Sequence, residues 1–184
     1  MRKQKGFSLI ELLIVVAIIL IIAAIAIPSL IRSRMSANDS SAASTIRTLN
    51  TAEVAYSTSY PNAGFSQNLS WLGPGAAVDC TVPANVTSTS ACLIDAVVGC
   101  NAAGPCFKNG YDYYIGGSAA AASGTFVDYV VTADSDKLGS SGMANWCSLD
   151  DGVIRKDAEV PVPQRNAGVT IVTCSTAATF APTK

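Results

Sequence analysis

Residues 7–31 read FSLIELLIVVAIILIIAAIAIPSLI. Of these 25 residues 21 are hydrophobic, against 49% for the 184-residue chain. The hydrophobic excess is therefore local, and the remainder has the content of an ordinary soluble domain. A membrane helix needs roughly 20 apolar residues, so this stretch is long enough to span a bilayer. It is too long for the core of a secretory signal peptide, which runs about 7–15 residues. Arg2, Lys3 and Lys5 precede it, and Arg32 and Arg34 follow, a small bias towards a cytoplasmic N-terminus. One charge, Glu11, lies inside. A carboxylate in hydrocarbon costs about 2.5–3.5 kcal/mol on insertion scales, so it needs a partner or a purpose. Phe7 stands four residues earlier, one helical turn away. A free amine on Phe7 and this carboxylate could meet across two neighbouring copies.

The run Lys5-Gly6-Phe7-Ser8-Leu9-Ile10-Glu11 resembles the N-terminus of type IV prepilins. Its elements are a short basic leader ending in glycine, then Phe, then Glu four residues on. The resemblance is close over roughly residues 1–60. It implies that a membrane enzyme, prepilin peptidase, cuts between Gly6 and Phe7 and methylates the new N-terminal Phe7. It also implies that Glu11 neutralises the Phe7 amine of an adjacent subunit. The implied partners are further copies of the chain in a helical homopolymer, the peptidase, an inner-membrane assembly platform, and the membrane itself before assembly. The precursor would lie in a bacterial inner membrane and the product in an extracellular pilus. A type II secretion pseudopilin, which stays periplasmic, shares this chemistry and is the alternative, as is a minor pilin. Glu11 argues against the one minor subunit type that lacks it.

The resemblance divides the chain into a leader (1–6), a membrane and filament-core helix (7–31), the amphipathic half of that helix (32–60) and a head (61–184). No glycine occurs between Phe7 and Ala63, and Pro28 is the only proline before Pro61. Proline removes one helical hydrogen bond, so a kink is expected at Pro28. In this family filament packing commonly loosens the helix there, which implies local melting around residues 27–34 in the assembled state. Met35, Ala42, Ile46, Leu49, Ala52 and Tyr56 recur at helical spacing and form one apolar stripe. Ser40, Ser44, Arg47, Asn50 and Thr51 occupy the other positions. Several of these are indifferent helix formers, so packing must stabilise the stretch more than propensity does.

Thirteen of 14 glycines fall after residue 63. Between them lie short strand-like runs: 111–115 (YDYYI), 125–133 (TFVDYVVTA), 144–149 (ANWCSL), 153–156 (VIRK) and 169–173 (VTIVT). The segment Asp150-Asp151-Gly152 reads as a hairpin turn. The expected fold is α+β and type IV pilin-like, a long N-terminal helix packed on an antiparallel sheet of about four strands. Residues 69–109 are rich in Ala, Ser and Thr and carry four cysteines; they are expected to loop over the surface between helix and sheet.

Six cysteines, at 80, 92, 100, 106, 147 and 174, all lie in the head. An even count in an exported domain reads as disulfides, with fifteen possible pairings. The resemblance implies Cys147–Cys174, since such heads often close a C-terminal loop this way. Cys80–Cys92 and Cys100–Cys106 are the local choice for the rest. No CxxC pair and no histidine is present, so a metal-thiolate site is not expected.

The absence of histidine excludes Ser-His-Asp and Cys-His catalysis, HExxH zinc sites and CxxCH haem attachment. No nucleophile–base pair supports a membrane-anchored enzyme, and no cofactor is expected. Net charge is −1, or nine basic against 13 acidic side chains once the leader is gone, which gives nucleic acid no electrostatic foothold. Tyr111, Tyr113 and Tyr114 could stack on bases, but only Lys108 is near; alternation puts Tyr111 and Tyr113 on one face for packing. Asp134-Ser135-Asp136 and Asp150-Asp151 could offer oxygens to calcium, although their spacing is not that of an EF-hand and turn aspartates explain them. Asn85-Val86-Thr87 and two similar triplets match the N-glycan acceptor pattern, which chance also produces. Ser118 and Ser123 read as turn residues or surface O-glycosylation sites. Adhesion, motility, DNA uptake, secretion and electron transport are all compatible with the scaffold.

Overall fold

The computed structural model describes residues 8–75, 79–100, 106–117, 124–137, 139–157, 174 and 181–182. The chain divides into two compact units, residues 1–34 and 35–184. Helix α1, Leu9–Ser59, runs through both and is helical across Pro28. In the first unit its large apolar side chains face outwards, from Leu9 at 80% exposure to Ile31 at 46%.

In the second unit the residues of the sequence stripe, Met35, Ala42, Ile46, Leu49, Ala52 and Tyr56, are all buried. Ser40, Ser44, Arg47 and Thr51 stay exposed. The weak helix formers are accommodated locally. Ser40, Thr45, Thr48, Thr51, Thr58 and Ser59 each donate their hydroxyl to the carbonyl four residues back, so their side chains do not compete for the backbone elsewhere.

A six-stranded antiparallel sheet packs on this helix, in the order of the chain. Its strands are β1 (Cys106–Lys108), β2 (Tyr111–Gly116), β3 (Val130–Ser135), β4 (Asn145–Leu149), β5 (Ile154–Asp157) and the two-residue β6 (Ala181–Pro182). Tyr111, Tyr113 and Ile115 of β2, Val131 and Ala133 of β3, and Trp146 of β4 join the helix stripe in one core. Tyr114, on the other face of β2, is 37% exposed. On that outer face Val130, Leu149 and the Cys147–Cys174 bridge form a second small apolar cluster.

Three differences from the sequence reading have physical causes. Strands β1 and β6 extend the expected sheet of about four at its two edges. The run 125–133 is only partly strand. Phe126 leaves the sheet because its N–H donates to Ala63 O at 3.0 Å and its carbonyl accepts from Phe65 N at 3.0 Å, which ties it to the loop after α1. Residues 69–109 are more than a surface loop. They form the short helix α2 (Leu69–Leu72), a 3-10 turn (Pro83–Asn85) and β1, and they send Leu69, Leu72, Ala91 and Val98 into the core. The run 169–173 and Ser118 and Ser123 lie outside the described residues.

Disulfides join Cys80 to Cys92, Cys100 to Cys106 and Cys147 to Cys174. The first two staple the segment between α2 and β1, and the third anchors residue 174 to the middle of β4.

Candidate functional site

Gly6 and Phe7, the expected processing pair, lie outside the described residues. Glu11 sits in the first turn of α1. Its Oε2 accepts from the backbone N–H of Ser8 at 3.0 Å. A helix start leaves its first amides without intrahelical partners, and an acid three residues after a serine N-cap satisfies one of them. The motif Ser8-Leu9-Ile10-Glu11 has that capping spacing, a signal that attention to Phe7 alone passes over. In a single copy, then, Glu11 is held by its own helix start. Behind it, α1 is long and apolar enough in its N-terminal part to cross a membrane.

The second unit holds polar groups that the stripe did not announce. Glu53 is wholly buried on α1 and takes two bonds from Ser66, one from its backbone N–H at 2.9 Å and one from its hydroxyl. Burial pushes its carboxyl up to about 7, against which the Ser66 bonds pull down. Tyr56 on the same helix is pushed up to about 12, first by burial and then by the Glu53 charge. Asp39, also buried, accepts from the Tyr111 hydroxyl and from Met143 N at 2.9 Å. Asn50 donates to Ser148 Oγ at 2.8 Å. The bonds of Asp39 with Tyr111 and of Asn50 with Ser148 fix the register of helix on sheet, because a one-turn slip would leave the buried Asp39 carboxylate without its partner on β2.

The calcium candidates separate in space. Asp151 closes the β4–β5 turn by accepting from Val153 N at 2.8 Å and pairing with Arg155, which holds its carboxyl below the usual range. Asp134 faces Asp112 across β2 and β3, and burial, then the Asp112 charge, raises it to about 6. Among the described residues no three His, Cys, Asp or Glu side chains gather as metal ligands.

Comparison with known proteins points to the N-terminus. Residues 1–27 match the prokaryotic N-terminal methylation motif. Over 39 residues the chain is 64% identical to the type IV wide pilus major component PilA4 of Thermus thermophilus, covering 21% of this chain and 30% of that protein. Over 54 residues it is 46% identical to the type IV major pilin protein PilA of Myxococcus xanthus, covering 29% of this chain and 24% of that one. The chain thus spans under a third of the length of these curated relatives. No solved structure matches. The chain carries the prokaryotic N-terminal methylation motif and, over short stretches, is similar to two major components of type IV pili.

Proposed function

We propose that the chain is a structural subunit of a type IV pilus. The observation that carries the reading is the outward-facing apolar half of α1, capped by Glu11 and lying under the methylation motif. Outside a bilayer, this half would expose about 20 apolar side chains, each large one worth roughly 1.5–3 kcal/mol on burial. A bundle of the same helix from many copies removes them from water. Cutting at Gly6–Phe7 frees the amine that Glu11 of a neighbour neutralises, so assembly follows processing. On this reading the chain waits in an inner membrane as precursor, prepilin peptidase and an assembly platform act on it, and the head is displayed outside the cell. Its role is structural, not enzymatic. In the filament the helix loosens near Pro28, where one hydrogen bond is already missing.

The test is direct. Surface fibres sheared from cells should contain this subunit, beginning with methylated Phe7. Deleting the gene should abolish the fibres and leave protein secretion intact. Loss of secretion with fibres retained would make it a pseudopilin instead. A filament map with continuous α-helix through residues 27–34 would refute the loosening.

A further inference from the structure

Three Asn-x-Ser/Thr triplets occur in the described part of the chain, and the fold treats them differently. Asn38-Asp39-Ser40 lies inside α1. Asn38 is half-buried with its amide donating to Ser141 O at 2.7 Å, and Asp39 between the two polar residues is buried. On a helix, residues two apart point to different sides, so Asn38 and Ser40 cannot be offered together. Asn68-Leu69-Ser70 straddles the start of helix α2: Asn68 is its exposed, extended N-cap, whereas Leu69 is 5% exposed and Ser70 is half-buried in the helical turn.

Asn85-Val86-Thr87 is built otherwise. Asn85 ends the 3-10 turn Pro83–Asn85, and Val86 follows in an extended conformation (φ −79°, ψ 118°). Residues on either side of an extended residue point the same way. The burial pattern agrees: Asn85 and Thr87 are exposed and Val86 is half-buried. Among the described residues the Asn85 amide keeps only a long bond, 3.3 Å to Asp79 O, and the Thr87 hydroxyl lies 3.2 Å from Thr89 Oγ1. The whole triplet lies within the loop closed by Cys80–Cys92, so the bridge limits how far the loop can unfold.

We infer that Asn85 is an N-glycan acceptor, with Thr87 as the hydroxyl that the acceptor pattern requires. The donor class is an oligosaccharide linked through its anomeric carbon to a polyprenyl diphosphate. The Asn85 Nδ2 forms a bond to that carbon, the carbon–oxygen bond to the diphosphate breaks with its electron pair leaving on the diphosphate, and the amide proton passes to a base of the transferase. No change of oxidation state is involved. The inference rests on the exported-subunit reading, since such donors are used on the outer side of the membrane.

The full chain, purified from its own cells, tests both. Mass spectrometry should find a sugar mass on the peptide holding Asn85 and none on those holding Asn38 or Asn68. Asn85→Gln and Thr87→Ala should abolish that mass completely, while Thr87→Ser and Asn68→Gln keep it. A bare Asn85 on chains beginning at Phe7 would overturn the inference and leave the pilin reading standing. Sugar on all three asparagines would overturn the selection by fold. A glycosylated Asn85 on chains that keep residues 1–6 would uphold the site and overturn the processing. Chains with neither cut nor sugar would overturn both.

Discussion

Glu53 and Glu11 are both helical carboxylates without a basic side-chain partner in the structure described, but Glu53 is buried and Glu11 is exposed. Glu53 is sealed, so the folded head holds its proton more tightly than the unfolded chain does, at about 7 against an ordinary 4.5. Its contribution to stability is complete below the unfolded value and is lost as pH rises through the folded one. The groups facing it are Tyr56 on its own helix, Ser66 on the following loop and Tyr129 before β3, and both tyrosines are raised by burial and by its charge. Asp134 shifts the same way but titrates lower, at about 6. Between pH 6 and 8 the head should therefore lose about 2 kcal/mol of stability, a shift of one pKa unit being worth ~1.4 kcal/mol. Glu53→Gln should remove most of that loss, read from denaturant midpoints at several pH values. An unchanged slope would sink the assignment. Glu11 is exposed and accepts a hydrogen bond from the backbone N–H of Ser8. Glu11→Ala should insert into membranes normally yet assemble poorly; abundant normal fibres would refute its pairing with a neighbour's Phe7.

At the scale of elements, the turn between β1 and β2 carries its own signal in the sequence. Asn109 and Gly110 join Lys108 to Tyr111 with φ of 52° and 79°. Asn-Gly is the preferred pair for a two-residue hairpin whose central residues both need positive φ. It stands in the sequence between CFK and YDYYI, at the end of the Ala/Ser/Thr-rich stretch 69–109 whose composition alone reads as a loop. Gly110→Val should destabilise the head by roughly 1–2 kcal/mol from the left-handed backbone alone. A Cβ there would also press Ser141 Cβ at 3.0 Å. The helix stripe, by contrast, was legible because period 3.6 reports burial directly. Ile46, wholly buried at its centre, should cost about 2–5 kcal/mol when cut to Ala. Thermal unfolding of the head checks both substitutions.

At the scale of the molecule, the break between residues 34 and 35 separates a length of helix with no core of its own from a unit that has one. A chain starting at residue 35 should remain soluble and monomeric without detergent and unfold cooperatively, whereas the mature full-length chain should need detergent or its filament. Aggregation of the truncated head in sedimentation experiments would count against this division. The primary structure by itself determined the apolar first helix, its acid, the buried stripe and the α+β plan, because hydrophobic periodicity and an uninterrupted apolar run act over a few neighbouring residues. Only the tertiary structure decided that Asp39 and Glu53 lie inside, that Asn50 reaches Ser148, that Phe126 leaves the sheet for the loop after α1, and that one Asn-x-Ser/Thr triplet in three stands open. The polar contacts of Asp39, Asn50 and Glu53 join residues 13 to 104 apart in the chain, and local pattern carries no record of groups that meet only when the chain has folded.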